Sequence, residues 1–238
     1  MVMEGIIASV SALRATQRRV GQTAHNIANI STPGFIPRRV EQAEAAEGGV
    51  RLVGTTALPS GPLLVSEGSL DLAIDGPGFF VLNQPGGGQL FTRAGNFMLD
   101  AQGRLVDPLG RTVAPGITIP AGAQQIRVTP QGQVQALAEN GSVISQGQLL
   151  TASFGNTGGL TPVGGNAFRA TEASGPPVLQ PPGSPGHGTI VSGVLQASGT
   201  DLAREMVNLI TDQRVFEANV KMLRTEDEML GTVLDIKS

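Results

Sequence analysis

The segment from Thr200 to Ile236 reads TDLAREMVNLITDQRVFEANVKMLRTEDEMLGTVLDI, and it is the longest segment with a single unbroken period and no proline. Its seam positions step by alternate fours and threes, which is the heptad spacing of a helix that packs on another helix. The apolar seam residues are Leu202, Met206, Leu209, Phe216, Val220, Leu223, Leu230 and Leu234, with Gln213 and Asp227 between them. Thr200 or Ser198 can supply the N-cap oxygen, and Asp201 places negative charge in the first turn. Such a helix requires a partner.

A second heptad pattern, over residues 4–28, supplies that partner. Its apolar seam residues are Ile6, Val10, Leu13, Val20 and Ile27, with Gln17 and Ala24 between them. Polar seam positions lower stability but fix register, so we expect the two helices to form a coiled-coil-like unit that is marginal alone. Charge favours the same pairing, because residues 1–40 carry five arginines and one glutamate, whereas residues 198–238 carry eight acids and five bases.

The first helix is predicted to end within the sequence NIANISTPGF, residues 26–35. Pro33 disfavours helical geometry at Thr32, and Pro33-Gly34 suits a type II turn in which the glycine takes a positive φ. Asn29 can cap the last helical carbonyls or bond to a neighbouring chain, and the local cap is the favoured interpretation.

The middle of the chain is rich in turns, since most of the 33 glycines and 16 prolines lie between residues 31 and 199. Short strand patterns separated by turn signals begin near Ser69, for example LDLAID, then Gly76-Pro-Gly78, then FFVL. This spacing is typical of an all-β sandwich or barrel-like domain. Residues 36–66 are interpreted as a linker or irregular arm with a short strand signal at 50–53, 175–188 as an extended loop, and 189–196 as a last strand.

The predicted fold class is therefore α+β, with two long terminal helices that pair and an all-β domain inserted between them. We expect four segments. They are the N-terminal helix (1–30), the motif loop and arm (31–66), the β-rich domain (67–197) and the C-terminal helix (198–238).

Composition argues against several classes of function. The chain has no cysteine, and its two histidines, His25 and His187, are too few for most zinc sites. The net charge of −3 argues against a nucleic-acid partner. Apolar runs are far shorter than the roughly 18 residues of a membrane span, so we expect a soluble protein. The N-terminus lacks the basic start of a secretory signal, so any export is expected to proceed without cleavage.

No catalytic motif is recognised, whether a nucleophile elbow, a P-loop or an H-E-x-x-H zinc site. The best acidic candidates are Glu67, Asp71 and Asp75. Strand rise places Asp71 and Asp75 about 13 Å apart, beyond the roughly 5–9.5 Å that glycoside cleavage uses. We therefore predict a protein that is not an enzyme, with no catalytic residues, metal or cofactor.

Four blocks of sequence together resemble the bacterial flagellar rod and hook family. They are NIANISTPGF (26–35), LDLAIDGPGFF (70–80), FTRAGNF (91–97) and DLAREMVNLI (201–210), and QRVFEAN (213–219) and DEML (227–230) extend the match. The residues that carry the family motif are Asn26, Asn29, Pro33, Gly34, Phe35, Asp71, Asp75, Gly76, Gly78, Phe79, Arg93, Gly95, Asp201, Gln213 and Arg214.

The resemblance implies a structural subunit of the flagellar basal-body rod. Its terminal helices are expected to self-assemble into a helical tube that transmits torque across the periplasm. The implied partners are other copies, other rod and hook proteins, and the flagellum's own export apparatus, which needs no cleaved signal peptide. Residues 213–214 and 227–230 are most similar to the distal rod branch, whereas the short arm is more similar to the proximal rod branch.

Two alternatives come from other classes of protein. The first is a cell-wall carbohydrate-binding or hydrolase module that uses Glu67, Asp71 and Asp75. The second is an export or cap chaperone that binds partners through its helices without joining the tube.

Overall fold

The structure is a computed structural model that describes residues 2–45, 49–57, 59–84 and 86–235, with the side chains of residues 2–4, 230 and 232–235 left out. The chain forms two compact units. The helical unit comprises residues 1–30, 37–58 and 200–238, and the β unit comprises residues 31–36 and 59–199. The motif loop thus belongs to the β unit, while most of the expected arm belongs with the helices.

Two long helices, α1 (Val2–Ala28) and α2 (Leu202–Asp235), dominate the helical unit and pack against each other. The end of α1 is capped locally, because the Asn29 side-chain amide donates to the carbonyl oxygen of His25 at 2.9 Å. The interpretation of Asn29 as a local cap is confirmed. The prediction of Thr200 or Ser198 as the N-cap of α2 was wrong. The N-cap is Asp201, whose carboxylate accepts the backbone N–H groups of Ala203 and Arg204, while the Thr200 hydroxyl donates to the carbonyl oxygen of Asn26 at 3.2 Å.

The expected irregular arm is instead a β-hairpin over most of its length. Strands β1 (Arg38–Glu44) and β2 (Val50–Ala57) pair antiparallel and pack on α1. The Ser11 hydroxyl accepts the N–H of Val50 at 3.0 Å, which fixes the start of β2 on the helix. The strand predicted at 50–53 is confirmed by β2. The linker interpretation was wrong for β1, because alternation along β1 buries each inward side chain only partly, so its strand pattern is weak in sequence.

The described strands of the β unit are β3 (Leu63–Val65), β4 (Leu72–Asp75), β5 (Phe79–Asn83), β6 (Gln89–Thr92), β7 (Met98–Leu99), β8 (Leu105–Val106), β9 (Thr112–Val113), β10 (Gln125–Val128), β11 (Gln133–Leu137), β12 (Val143–Gln148), β13 (Thr151–Ser153), β14 (Thr161–Gly164), β15 (Ala167–Arg169), β16 (Val178–Gln180), β17 (Thr189–Ser192) and β18 (Val194–Gln196). They form one nine-stranded sheet, one three-stranded sheet (β10-β11-β12) and two pairs (β17-β4 and β18-β3), all antiparallel. The main path of the large sheet is β14-β15-β6-β5-β9-β8-β7, and β13 adds to β5 and to β16.

Strand β5 is the centre of the β unit, because its alternate side chains enter two different apolar clusters. Phe80 and Leu82 lie in the larger cluster, and Phe79 and Val81 lie in the smaller one. Phe80 is fully buried and meets the ring of Phe97 edge to face, with 5.0 Å between ring centroids. A strand that is buried on both faces reads as the continuous apolar run FFVL.

Two consecutive hairpin turns share the sequence D-x-x-G-R. Asp100 accepts the backbone N–H of the residues two and four positions later and pairs with the Arg104 guanidinium. Asp107 does the same with Arg111. The fourth residue of each turn is a glycine with positive φ, 75° and 78°. The sequence predicts both turns from their glycines, but the aspartate–arginine bracket is found only in the structure.

The proline-rich segment 175–188, expected to be a loop, contains strand β16. Prolines stand on both sides of this strand, which pairs with β13 alone. Proline is tolerated beside an edge strand because only one side of the strand has to donate hydrogen bonds. The expected last strand, 189–196, is divided into β17 and β18 at Gly193, where φ is 73°.

Truncation of the central ring tests the two-cluster core. We expect Phe80→Ala to lower the free energy of unfolding of the β unit by about 3–5 kcal/mol, because it leaves a cavity between β5 and Phe97. Urea unfolding followed by circular dichroism measures this change, since the chain has no Trp or Tyr to report by fluorescence. The control is Leu109→Ala, at a side chain 65% exposed, which should change stability by less than about 0.5 kcal/mol. Equal effects of the two variants would contradict the assigned core.

Candidate assembly elements

A line of three contacts, two of them polar, joins α1 to α2. The Asn26 side-chain amide donates to the Glu205 carboxylate at 3.0 Å, and Arg19 forms an ion pair with Asp212. The half-buried Glu226 carboxylate lies against Gly5, and its Oε2 atom has no hydrogen-bond partner there. Residues 26, 19 and 5 of α1 contact residues 205, 212 and 226 of α2, in that order. Because the numbers fall along one helix as they rise along the other, the helices are antiparallel. These six residues are called the polar ladder below.

Three of the six residues of the polar ladder are buried, whereas the other three, Gly5, Arg19 and Glu226, are half-buried. Asn26, Glu205 and Asp212 are 1%, 4% and 3% exposed, and the small polar residues of α1 beside them are also buried. Charges in such a position are stable only when they are paired or hydrogen-bonded. The charge complementarity expected from the sequence therefore has a specific contact, the pair of Arg19 with Asp212.

Asn26 connects three elements of the helical unit. Its amide nitrogen also donates to the carbonyl oxygen of Arg38 at 2.9 Å, and its amide oxygen accepts from the N–H of Arg38 at 3.2 Å and from Gln22 at 3.1 Å. The side chain thus bonds to α1, to the first residue of β1 and to α2. A carboxylate could not donate these bonds and an amine could not accept them, which explains an asparagine here.

The two predicted apolar seams flank the polar ladder instead of forming it. The apolar seam residues that directly follow a ladder residue are Ile6, Val20, Ile27 and Met206. Leu13 and Val20 are half-buried, while Leu202, Met206 and Phe216 are 39%, 51% and 41% exposed. Half-burial also holds for Ile6, Val10, Ile27, Leu209, Val220 and Leu223. Coiled-coil pairing of the two seams within one chain is not confirmed, and Leu230 and Leu234 fall outside the described side chains.

The loop of residues 31–36, called the anchor loop below, is fixed within the β unit at three points. The Asn166 side chain donates to the carbonyl oxygen of Pro33 at 2.7 Å, and the N–H of Gly34 donates to the carbonyl oxygen of Gln196 at 2.6 Å. Phe35 is buried, and its carbonyl oxygen accepts the N–H of Gly199 at 3.0 Å. The loop that follows α1 in sequence is therefore part of the β core.

Glycine is required at position 34 for two reasons. Its φ is 65°, so the predicted positive φ is confirmed. A Cβ atom at this position would also collide with the backbone of Arg93 and Ala94. Substitution would therefore strain the chain and push the anchor loop away from the segment 91–97.

Arg93 joins the second and third motif blocks. Its guanidinium donates to the carbonyl oxygens of Ile74 at 3.2 Å and Gly76 at 2.8 Å, and its Cζ atom lies 5.4 Å from the centre of the Phe79 ring. Burial lowers the pKa of Arg93 to about 10, so the group remains protonated at neutral pH. Gly78 has a φ of 130° in the same turn. The arginine therefore holds the turn between β4 and β5.

Gly95 lets the same two blocks approach each other. Its carbonyl oxygen accepts the N–H of Leu72 at 3.0 Å, and a Cβ atom at Gly95 would collide with the Leu72 carbonyl. Asp71 and Asn96 form an isolated bridge beside this contact. Residues 70–80 and 91–97 are thus two halves of one local structure, which explains why both sequence blocks occur together.

The acidic candidates have structural contacts. The Asp71 carboxylate accepts the Ser66 hydroxyl, Asp75 is exposed opposite Thr189 at the end of β4, and Glu67 is exposed. His187 is buried, with its ring nitrogens 2.9 and 3.1 Å from the hydroxyls of Thr151 and Ser153. Within the described ranges, no group of three or more histidine or acidic side chains is placed to hold a metal.

The remaining motif residues on α2 lie at its surface. Asp201, Gln213 and Arg214 are all exposed. No helix in the described part of the chain combines the length and the apolar character that crossing a membrane requires.

Comparison with known proteins gives matches along most of the chain. The family described as "Flagella basal body rod protein" matches residues 6–35, "Flagellar hook protein FlgE/F/G D1 domain" matches 73–136, and "Flagellar basal body rod FlgEFG protein C-terminal" matches 191–236. The flagellar basal-body rod protein FlgG of Agrobacterium fabrum is 36% identical over 97% of this chain and 98% of the relative. The FlgG protein of Bacillus subtilis is 32% identical over 99% of this chain and all of the relative. The chain belongs to the flagellar basal-body rod protein family.

Membership confirms the predicted family, function and location. This rod-family chain is a structural subunit of the flagellar basal body, and its FlgG relatives support the distal rod branch that its sequence favoured. The flagellar hook protein FlgE of Caulobacter vibrioides is 39% identical, but over only 47% of this chain and 19% of the relative. Membership also implies assembly with other flagellar components.

The three family matches coincide with structural features of this rod-family chain. The first covers most of α1 and the anchor loop through Phe35, the second covers the strands from β4 to β11, and the third runs from β17 into α2. Both helices of the polar ladder therefore lie mainly within segments typical of rod proteins.

Substitution of Gly34 tests the anchor loop. We expect Gly34→Ala to expose the loop to proteolysis, since the added methyl group would collide with the backbone of Arg93 and Ala94. Gly110→Ala is a matched control, because Gly110 also has a positive φ, 78°, but open space around it. Limited proteolysis and amide hydrogen exchange should show a clearly larger effect at Gly34. If the two variants lose protection equally, the strain of a positive φ alone explains the requirement for glycine at position 34, and the collision with residues 93 and 94 is contradicted.

A double-mutant cycle tests the polar ladder. We expect Arg19→Met to weaken the packing of α1 on α2 by about 1–3 kcal/mol, because it leaves the buried Asp212 carboxylate unpaired while Arg19 itself is partly exposed. The double variant Arg19→Met/Asp212→Leu should recover most of this loss. Hydrogen exchange of the α1 amides measures each step, and additive losses in the double variant would show that the pair does not couple the helices.

Proposed function

We propose that this chain is a distal rod subunit that polymerises through α1 and α2 into a helical tube. The tube transmits motor torque across the periplasm, and each subunit reaches it through the flagellar export apparatus without cleavage of a signal peptide. Its partners are other copies of itself and neighbouring rod and hook proteins. Nucleic acid has no part in this function.

The observation that carries this proposal is the apolar surface of α2. Among its described side chains, the helix exposes eight large apolar ones, including Met206 at 51%, Ile210 at 54% and Met229 at 52%. A long row of such residues on a monomer marks a surface for association. Since the line of contact with α1 is polar, the apolar groups of α2 remain available for other subunits.

The polar ladder suits a subunit that assembles. Buried polar pairs contribute little net stability, but they penalise every alternative register, because a slipped helix would leave Asp212 or Glu205 unpaired. The helical unit therefore has a defined shape and little stability of its own. Burial of its apolar surface in a polymer supplies the rest.

Loss of an exposed apolar group tests polymerisation. Met206 is half exposed and off the polar ladder, so Met206→Asp should leave the fold intact and prevent the growth of tubes, because the polymer would bury an unpaired charge. A concentration series of the full-length chain, followed by sedimentation velocity and electron microscopy, measures this effect. Leu109→Asp, at an exposed loop of the β unit, is the control and should assemble normally.

A contrary result would favour the chaperone alternative. In that case the wild-type chain would form one small oligomer of fixed size at every concentration, and Met206→Asp would leave that size unchanged.

A further inference from the structure

A second exposed surface runs along α2, and none of its residues is charged. These residues step alternately by fours and threes, and we call them the uncharged stripe: Thr211, Val215, Ala218, Met222, Thr225 and Met229. All six are exposed, with Met222 at 59% and Met229 at 52%. Eight charged residues occupy the other faces of the helix between positions 211 and 229. A stripe about 27 Å long thus remains free of charge.

The two threonines of the stripe behave as apolar residues. The Thr211 hydroxyl donates to the carbonyl oxygen of Val207 at 2.8 Å, and the Thr225 hydroxyl donates to the carbonyl oxygen of Lys221 at 3.1 Å. Each hydroxyl therefore finds its partner on its own helix. The stripe can be buried without leaving a polar group unsatisfied.

The uncharged stripe is distinct from both the polar ladder and the apolar seam of α2. At about 100° per residue, the stripe lies roughly a quarter turn to one side of the ladder residues Glu205, Asp212 and Glu226. The seam that contains Met206 and Val220 lies roughly a quarter turn to the other side. Helix α1 of the same chain occupies the ladder side, so it does not cover the stripe.

The spacing of the stripe specifies a helix as its occupant. Residues that alternate by fours and threes form the holes into which the side chains of a second heptad helix insert. The apolar seam of α1 has the same spacing and nearly the same length, from Ile6 to Ile27. It is only half-buried within its own chain.

Charge complementarity supports α1 of another copy. Apart from Arg19 and Asp212, which pair with each other within the chain, residues 5–30 carry two arginines and no acid, whereas residues 211–229 carry four acids and three bases. Oppositely charged helices favour this pairing over the pairing of two stripes, which would bring like charges together.

We propose that the uncharged stripe of one copy binds the apolar seam of α1 of the next copy. This inference rests on the proposed function and specifies its subunit contact. Because the two surfaces are different, the contact is heterologous, and it either closes into a ring or continues as an open helix, depending on the rotation between copies. The open helix, in which each added copy presents a new free surface, is the form that the proposed rod requires.

Complementary variants test this contact. The stripe-blocked variant is Val215→Glu/Met222→Glu, and the seam-blocked variant is Val10→Glu/Leu13→Glu. Each alone should raise the concentration needed for polymerisation by about tenfold or more, because a charge would be buried in an apolar contact. An equimolar mixture should give a 1:1 dimer in sedimentation velocity, since one intact stripe and one intact seam remain. Lys221→Glu, exposed beside the stripe but outside it, is the control and should polymerise like wild type.

The outcomes separate this inference from the proposed function. A wild-type chain that never polymerises overturns both. A polymerising wild type together with a stripe-blocked variant that also polymerises overturns the inference alone, as does a seam-blocked variant that dimerises by itself through two stripes.

Cross-linking provides a second measurement that does not depend on the folding of the glutamate variants. The chain has no cysteine, so copies with Leu13→Cys and copies with Met222→Cys or Val215→Cys can be mixed and oxidised during polymerisation. Disulfide-linked pairs of one copy of each kind support the contact. Exclusive pairing of like copies contradicts it.

Discussion

The structure of the helical unit depends on charges that are buried between two helices. Glu205 and Asp212 are almost completely buried, so each must keep its partner, Asn26 or Arg19, in place. This requirement fixes the antiparallel register, since a slip of one turn would leave a carboxylate unpaired at a cost of several kcal/mol. It also places the polar groups inside the pair and the apolar groups at its sides, which is the reverse of a soluble helical hairpin. The buried pairs therefore fix the register of α1 against α2, and other contacts supply most of the stability of the helical unit.

The β unit is stabilised in a different way, by an apolar core and by backbone segments that approach closely. Gly34 and Gly95 allow backbone to meet backbone where a single methyl group would collide. Arg93 then closes the turn between β4 and β5 through two carbonyl groups. The motif residues of the β unit are therefore explained by local geometry. Their role in the rod family is to keep this unit in one shape.

The sequence predicts those parts of the molecule in which apolar residues decide the structure. Strand β5, the two long helices and the turns marked by glycine follow from hydrophobic period and from residues that tolerate positive φ. Strand β1 was missed because its side chains are only partly buried, and β16 because prolines surround it. The polar ladder was missed for a deeper reason. Asn26 and Glu205 are ordinary surface residues until their partners are known, so no period of hydrophobicity reveals them.

The heptad repeats found in the sequence still indicate that each helix packs against another helix, but the two repeats need not be partners within one chain. A seven-residue apolar repeat indicates that a helix will pack against another helix, and it does not say whether that helix belongs to the same chain. In this chain the contact within the subunit uses the polar ladder, which leaves the apolar seam of α1 half-buried and the uncharged stripe of α2 exposed. Two different uncovered helical surfaces on one subunit can both be covered when each copy binds the next, either in a closed ring or in an open series. The open series is the geometry that a rod requires.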